Sequence, residues 1–125
     1  MPYEQFFFTQ SHEWVEPEGE VRRVGITDHA QHLLGDIVFT ELPKVGQQVK
    51  MGESMLVVES PKAAADVYAP LSGQIVEVNS ALEADPATIN RSPYEDGWLV
   101  KIKPSMPAEA NSLLDHANYQ KLIGG

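Results

Sequence analysis

Lys62 stands in the stretch Val57-Val58-Glu59-Ser60-Pro61-Lys62-Ala63-Ala64-Ala65-Asp66-Val67-Tyr68-Ala69-Pro70, between two short strand-like runs. A primary amine on a flexible four-carbon stem suits the attachment of a prosthetic group, because it forms a stable amide with a carboxylate. Pro61 fixes φ, lacks an N–H and pushes Ser60 towards an extended conformation, so Ser60-Pro61-Lys62-Ala63 reads as a tight hairpin connection. Lys62 is thereby predicted at an exposed tip. The small residues Ala63, Ala64 and Ala65 leave the backbone open to a modifying enzyme. The turn alone does not establish modification, since most exposed lysines are simply solvated charges.

Other chemistry is poorly represented. The chain has no cysteine, which removes disulfides, thiolate zinc sites and cysteine nucleophiles together. His12, His29, His32 and His116 form no metal-binding spacing with nearby acids, and no metal site is expected. Phosphate-cradling glycine loops and a nucleophile elbow are absent, so an independent enzyme is not expected and no catalytic residue is assigned. Glu13, in Ser11-His12-Glu13-Trp14, reads on its own as part of a polar turn before a strand.

The net charge of −9 over 125 residues disfavours phosphate backbones and anionic membranes, which attract clusters of Lys and Arg. No nucleic-acid or membrane partner is expected. No apolar run approaches the length of a membrane span, and MPYEQFFFTQ lacks the character of a signal or transit peptide. A bacterial cytoplasmic protein is the expectation, although a mature organellar protein would look the same.

The elements that must hold Lys62 are mainly short strands punctuated by Gly, Pro and Asn. Strand-like runs are Glu20–Ile26, Ile37–Leu42, Ser54–Glu59, Asp66–Ala69, Gln74–Asn79 and Trp98–Lys103. Thr27 is a predicted N-cap for a two-turn helix over Asp28–Leu34, stopped by Gly35. A second helical segment starts near Pro107, with Ser105 as a candidate cap, and runs through Leu114, continuing with a break towards Ile123. Residues 45–53 and 71–82 share a Gly-Gln-x-Val rhythm, a faint internal echo. Phe6-Phe7-Phe8 is read as covering one end of the core, and Trp14, Tyr68 and Trp98 as core or rim packing residues. Many short strands imply a sandwich or barrel, and 125 residues suit one domain.

The segment ESPKAAADVYAPLSGQIVEVN resembles the lipoyl-attachment region of the H protein of the glycine cleavage system. SHEWV at Ser11–Val15, VGITDHAQHLLGDIVFTELPKVG at Val24–Gly46 and NRSPYEDGWLVKIKP at Asn90–Pro104 resemble the same family in the same order. The resemblance covers nearly the whole chain. It implies a mainly β fold, the lipoyl/biotinyl-type hybrid (hammerhead) barrel sandwich, with a short helix and a C-terminal helical segment. Residues 1–125 would be one lipoyl-carrier domain, with a barrel core over about 20–104 and the helical segment over about 106–123. Biotinyl hairpins commonly place methionine on both sides of the lysine, whereas Lys62 has Pro61 and Ala63, so lipoate is the implied cofactor.

The implied function is a non-catalytic carrier. Lipoyl-Lys62 would receive the aminomethyl group of glycine from a pyridoxal-phosphate glycine decarboxylase (P protein) and present it to a tetrahydrofolate-dependent aminomethyltransferase (T protein). Dihydrolipoamide dehydrogenase (L protein) would then reoxidise the dithiol. The resemblance places Ser11, Glu13 and Asp66 in a cleft that holds the aminomethyl-bearing arm, and Glu59, Ser60, Pro61 and Ala63 in recognition by lipoate-attaching enzymes. Such a shuttle is expected to be a monomer. Pro61 departs from the branched residue expected before the lysine, and Ala65 stands where serine is common. Two other readings are a lipoyl relay serving other lipoate-dependent enzymes and an unmodified interaction module that keeps the fold.

Overall fold

Apolar–polar alternation in the strand-like runs resolves, in a computed structural model that describes residues 2–124, into two antiparallel sheets. Their strands are β1 (Phe7–Phe8), β2 (Glu13–Val15), β3 (Arg22–Ile26), β4 (Phe39–Glu41), β5 (Gln48–Val49), β6 (Ser54–Ser60), β7 (Ala63–Tyr68), β8 (Gly73–Val78) and β9 (Val100–Pro104). Strands β1-β2-β3-β9-β8-β5 form a six-stranded sheet, and β4-β6-β7 form a three-stranded one that carries the Lys62 hairpin. The helices are α1 (Asp28–Leu34), α2 (Ala81–Ala84), α3 (Thr88–Arg91) and α4 (His116–Leu122), with 3-10 turns at Tyr3–Gln5 and Pro107–Ser112.

The core lies where the inner faces meet. Val15, Val24, Val58, Leu71, Ile75, Val100 and Ile102 are fully buried there. On β6 the alternation breaks at Met55 and Leu56, which are both buried because the register with β7 shifts between Ser54 and Leu56. Such a bulge turns two consecutive side chains inward and re-aims the rest of the strand. The two echo segments pair directly through β5 and β8, with Gln48 opposite Gln74 and Val49 opposite Gly73.

A second cluster, Phe6, Phe8, Trp14 and Tyr119, joins the N-terminal aromatic run to α4. Phe8 stacks on Tyr119 with ring centroids 4.8 Å apart. Its backbone exchanges N–H and C=O bonds with Leu114, both at 2.8 Å. That bridge explains a departure from the sequence reading. Leu113 and Leu114 are extended to pair with Phe8, so the C-terminal segment divides into the 3-10 turn and a separate α4. Asp115 restarts the helix by accepting the N–H of Asn118 at 2.9 Å. Neither Ser105 nor the flanking residue Met106 caps the 3-10 turn with a side chain. The six-stranded sheet also begins upstream of residue 20, through β1 and β2.

Helix α1 forms as its caps predict. Thr27 Oγ1 accepts the N–H of Ala30 at 3.2 Å, and the N–H of Gly35 closes the last turn on the carbonyl of Gln31. Gly35 has φ 79 and ψ −160, a region open only to glycine. This abrupt exit sends the chain from Leu34 past the Lys62 hairpin and into β4.

Candidate functional site

The β6–β7 register ends at the pair Ser60–Ala63, leaving Pro61 and Lys62 as a two-residue connection. Neither has positive φ, which excludes the primed and type II turns and leaves the type I-like geometry that Pro61 favours. Pro61, Lys62, Ala63 and Ala64 are all exposed. Lys62 makes no ion pair among the described residues. Its stem leans over the exit of α1, where Cε lies 3.6 Å from the position a Cβ would take on Gly35.

Beyond Gly35, α1 and the inner face of β7 enclose a cavity of about 170 Å³. Its apolar wall includes Ile26, Leu33, Leu34, Val58, Ala65 and Val67, and its lining also takes in Ser11, His12, Glu13 and Asp66. A larger cavity of about 510 Å³ shares Ser11 and Glu13 but no α1 residue, and continues instead along Met51, Tyr68, Leu113 and Leu114. Ser11 and Glu13 therefore form the partition between the two.

Glu13 is 1 % exposed. Burial of a carboxylate demands hydrogen-bond partners, and the loop from Thr9 supplies them. Thr9 Oγ1 donates to Glu13 Oε1, Ser11 Oγ donates to the same oxygen at 2.6 Å, and the backbone N–H of Tyr68 donates to Oε2 at 3.1 Å. The loop closes on itself through Thr9 N–H to the Glu13 carbonyl at 3.0 Å and Glu13 N–H to Thr9 Oγ1 at 3.0 Å. Every group around the carboxylate donates. Two carboxylate oxygens offer about four acceptor positions, so one on Oε2 is left to receive a further donor, such as an ammonium.

Ser11 and Glu13 are thus in direct contact, as the sequence reading brings them together. Asp66 shares the wall of the smaller cavity, and its Oδ1 accepts a bond from Ser54 Oγ at 2.8 Å. Alternation along β7 buries Val67 and leaves Asp66 exposed on the other face. Glu59 lies opposite Ala64 on the outer face of the hairpin, and Ser60 Oγ donates to the Ala63 carbonyl at 3.4 Å.

Sequence reasoning missed Thr9, whose only signal is its place four residues before Glu13, and the backbone of Tyr68, which has none. It set His12 aside as unable to bind metal, yet His12 lines the small cavity. The residue sits at φ 74, and its Nδ1 meets Tyr119 Oη at 2.8 Å. Burial, with His29 only 4.8 Å away between ring centroids, holds the His12 imidazolium below its ordinary range. Burial likewise raises the Tyr119 phenol, whose oxygen also meets Thr27 Oγ1 at 2.7 Å. Of the aromatic residues read as core or rim packing, Tyr68 lies at the rim, lining the larger cavity, whereas Trp14 is fully buried and donates to the Pro93 carbonyl at 2.9 Å. No cluster of three or more metal-ligating side chains occurs among the described residues. No helix among them is long and apolar enough to cross a membrane.

Comparison with known proteins bears on this geometry. The sequence model of the family described as Glycine cleavage H-protein matches residues 6–124. The chain is 50 % identical over 117 residues to a glycine cleavage system H protein of Thermus thermophilus, covering 94 % of this chain and 91 % of that protein. It is 53 % identical over 114 residues to a mitochondrial glycine cleavage system H protein of Oryza sativa subsp. indica, covering 91 % of this chain and 70 % of that protein. The crystal structure of a glycine cleavage system H protein from Mycobacterium marinum superposes with a TM-score of 0.91 at 42 % identity, over all of both chains.

Proposed function

The chain belongs to the glycine cleavage H-protein family, and from that premise we propose that it is a single-domain, non-catalytic carrier with lipoate amide-linked to Lys62. The observation that carries the reading is an exposed lysine at a hairpin tip whose stem lies against the exit of α1, the helix that lines an apolar cavity shared with Ser11 and Glu13. The residues fit such a group, because the amine is accessible, the cavity wall is apolar and a carboxylate with an open acceptor position borders it.

When attached, lipoate supplies a dithiolane that accepts an aminomethyl group and is later reoxidised. Each residue of the chain then has a physical task. Lys62 tethers the group at high local concentration for successive active sites. Leu34 and Ala65, both part-buried, give the cleft an apolar wall. Glu13 offers Oε2 to a cationic amine, and Ser11 orients the carboxylate through Oε1, since a charge-assisted bond is strongest when its acceptor is held in place. Asp66 borders the same cavity with its carboxylate on the outer face of β7, bonded to Ser54 Oγ, and adds negative charge at the rim of the cleft.

The proposed partners are the pyridoxal-phosphate glycine decarboxylase, the aminomethyltransferase, dihydrolipoamide dehydrogenase and the enzymes that attach lipoate. We place the carrier in the bacterial cytoplasm, as a monomer. Intact and peptide mass spectrometry of the protein from its native host tests the reading, with one lipoyl group on Lys62 expected. Reconstitution with the three enzymes should then give glycine-dependent turnover that Lys62→Arg abolishes. A bare lysine under lipoate-replete growth overturns the assignment.

A further inference from the structure

Three large apolar side chains lie exposed within one seven-residue segment: Leu33 at 57 %, Val38 at 57 % and Phe39 at 50 %. That segment runs beside the Lys62 hairpin. Gly35 meets the lysine stem, the Val38 N–H donates to the Glu59 carbonyl at 2.8 Å, and Phe39 stands directly opposite Glu59. Burial alternates along β4, with Thr40 inside and Phe39 and Glu41 outside. Cross-strand registers then align Phe39, Glu59 and Ala64 in one row of the outer face, and Glu41, Val57 and Asp66 in the next. In residues 33–41 and 54–68 the carboxylates are Asp36, Glu41, Glu59 and Asp66, and Lys62 is the lone Lys or Arg.

Exposed apolar side chains flanking the residue to be modified, among carboxylates of one sign, suit a protein-binding surface. We propose that Leu33, Val38 and Phe39 form a docking collar for the enzyme that acylates Lys62, a partner with a matching apolar surface and a basic rim. The inference rests on the carrier reading and names the surface through which its first step is made. Reach selects this occupant over the enzymes that act later. Those enzymes act at the far end of the arm. Acylation happens at Nζ itself, one lysine side chain from the backbone, so the catalyst must cover the residues around the hairpin tip. In that step Nζ attacks the carbonyl carbon of an activated acyl donor, an acyl adenylate or thioester. The amide C–N bond forms, the bond to the nucleotide phosphate or thiolate breaks, and the amine gives up a proton.

The test uses the full-length apo chain with a lipoate ligase, lipoate and ATP, and follows attachment by mass. Val38→Ser with Phe39→Ser should raise KM for the chain about tenfold with kcat within about twofold of wild type, as expected for loss of an interface anchor. Glu41→Lys, which removes no packing, should raise KM in the same direction, and added salt should shrink its effect. Urea midpoints report whether each variant stays folded. Unchanged KM for both variants, with wild type acylated normally, overturns the collar alone. So does an unchanged KM for acylation alongside a raised KM for the glycine decarboxylase with pre-loaded variants. Failure of the wild-type chain to be acylated overturns the carrier reading together with the collar.

Discussion

The carboxylate of Glu13 and the backbone N–H of Tyr68 are joined at 3.1 Å, and this bond ties β2 of the larger sheet to β7, the strand that returns from Lys62. The partition of the two cavities is therefore also a fastener between the sheets. Glu13→Ala leaves the Tyr68 N–H without its acceptor and removes the oxygen that the Thr9 and Ser11 hydroxyls share. A loss of about 2 kcal/mol in urea unfolding is expected. Glu13→Gln keeps one acceptor oxygen and turns an NH2 group towards a donor on the other side, so about 1 kcal/mol should be lost. If both variants unfold at the wild-type midpoint, the fastening role is wrong.

Lys62→Arg separates attachment from folding. The arginine side chain stays protonated and offers no nucleophilic amine, so mass spectrometry should find the chain unmodified. Because Lys62 is exposed and forms no ion pair among the described residues, stability should stay within about 0.5 kcal/mol of wild type.

Gly35→Ala tests the exit of α1. A methyl group would meet Lys62 Cε at 3.6 Å, an ordinary contact, so crowding is not the cost. The cost is backbone strain at φ 79 and ψ −160, on the order of 1–3 kcal/mol. Thermal unfolding should show that loss, and relaxation of the turn should slow acylation of Lys62. A wild-type melting temperature would count against the strained exit.

Gly25→Ala tests a different constraint. Gly25 pairs with Trp14 across β2 and β3, and an added Cβ would lie 2.7 Å from three atoms of the indole. The indole cannot retreat. It stacks on Phe6 at 4.7 Å and donates to the Pro93 carbonyl at 2.9 Å. Overpacking at a fully buried site should cost about 3 kcal/mol, read from the urea midpoint, and near-wild-type stability would show that the indole is free to move.

How much of this was legible in the sequence follows from how local each signal is. The caps of α1, Thr27 and Gly35, are nearest-neighbour chemistry and were readable, as was the Pro61 turn. The two-residue strands β1 and β5 were not, because so few residues show no period and gain strand geometry only from their partners. Leu113 and Leu114 read as helix because their extended conformation is set by Phe8, more than a hundred positions away. At the site, the flanking turn placed Lys62 at an exposed tip, while its reading as an attachment point, like the cleft roles of Ser11, Glu13 and Asp66, came through family resemblance. The acceptor geometry of Glu13 depends on a backbone N–H from another sheet, which no side-chain pattern encodes.

His12 links the cavity to pH. Its imidazole faces the His29 ring and the Tyr119 hydroxyl, and its neighbour in the cavity wall is Glu13. Burial first, and His29 second, depress its folded-state value below the ordinary 6.5. Below 6.5 the unfolded chain takes up a proton that folded His12 refuses. Stability from this group is therefore complete above 6.5 and declines as pH falls through the window between 6.5 and the lower folded value. Urea unfolding measured from about pH 8 down to about pH 5 should show wild type losing stability in that window. His12→Asn accepts the left-handed backbone at φ 74 and has no proton to take up, so its decline should be shallower. Parallel curves for the two proteins would mean that His12 is not the group that couples this corner of the cavity to pH.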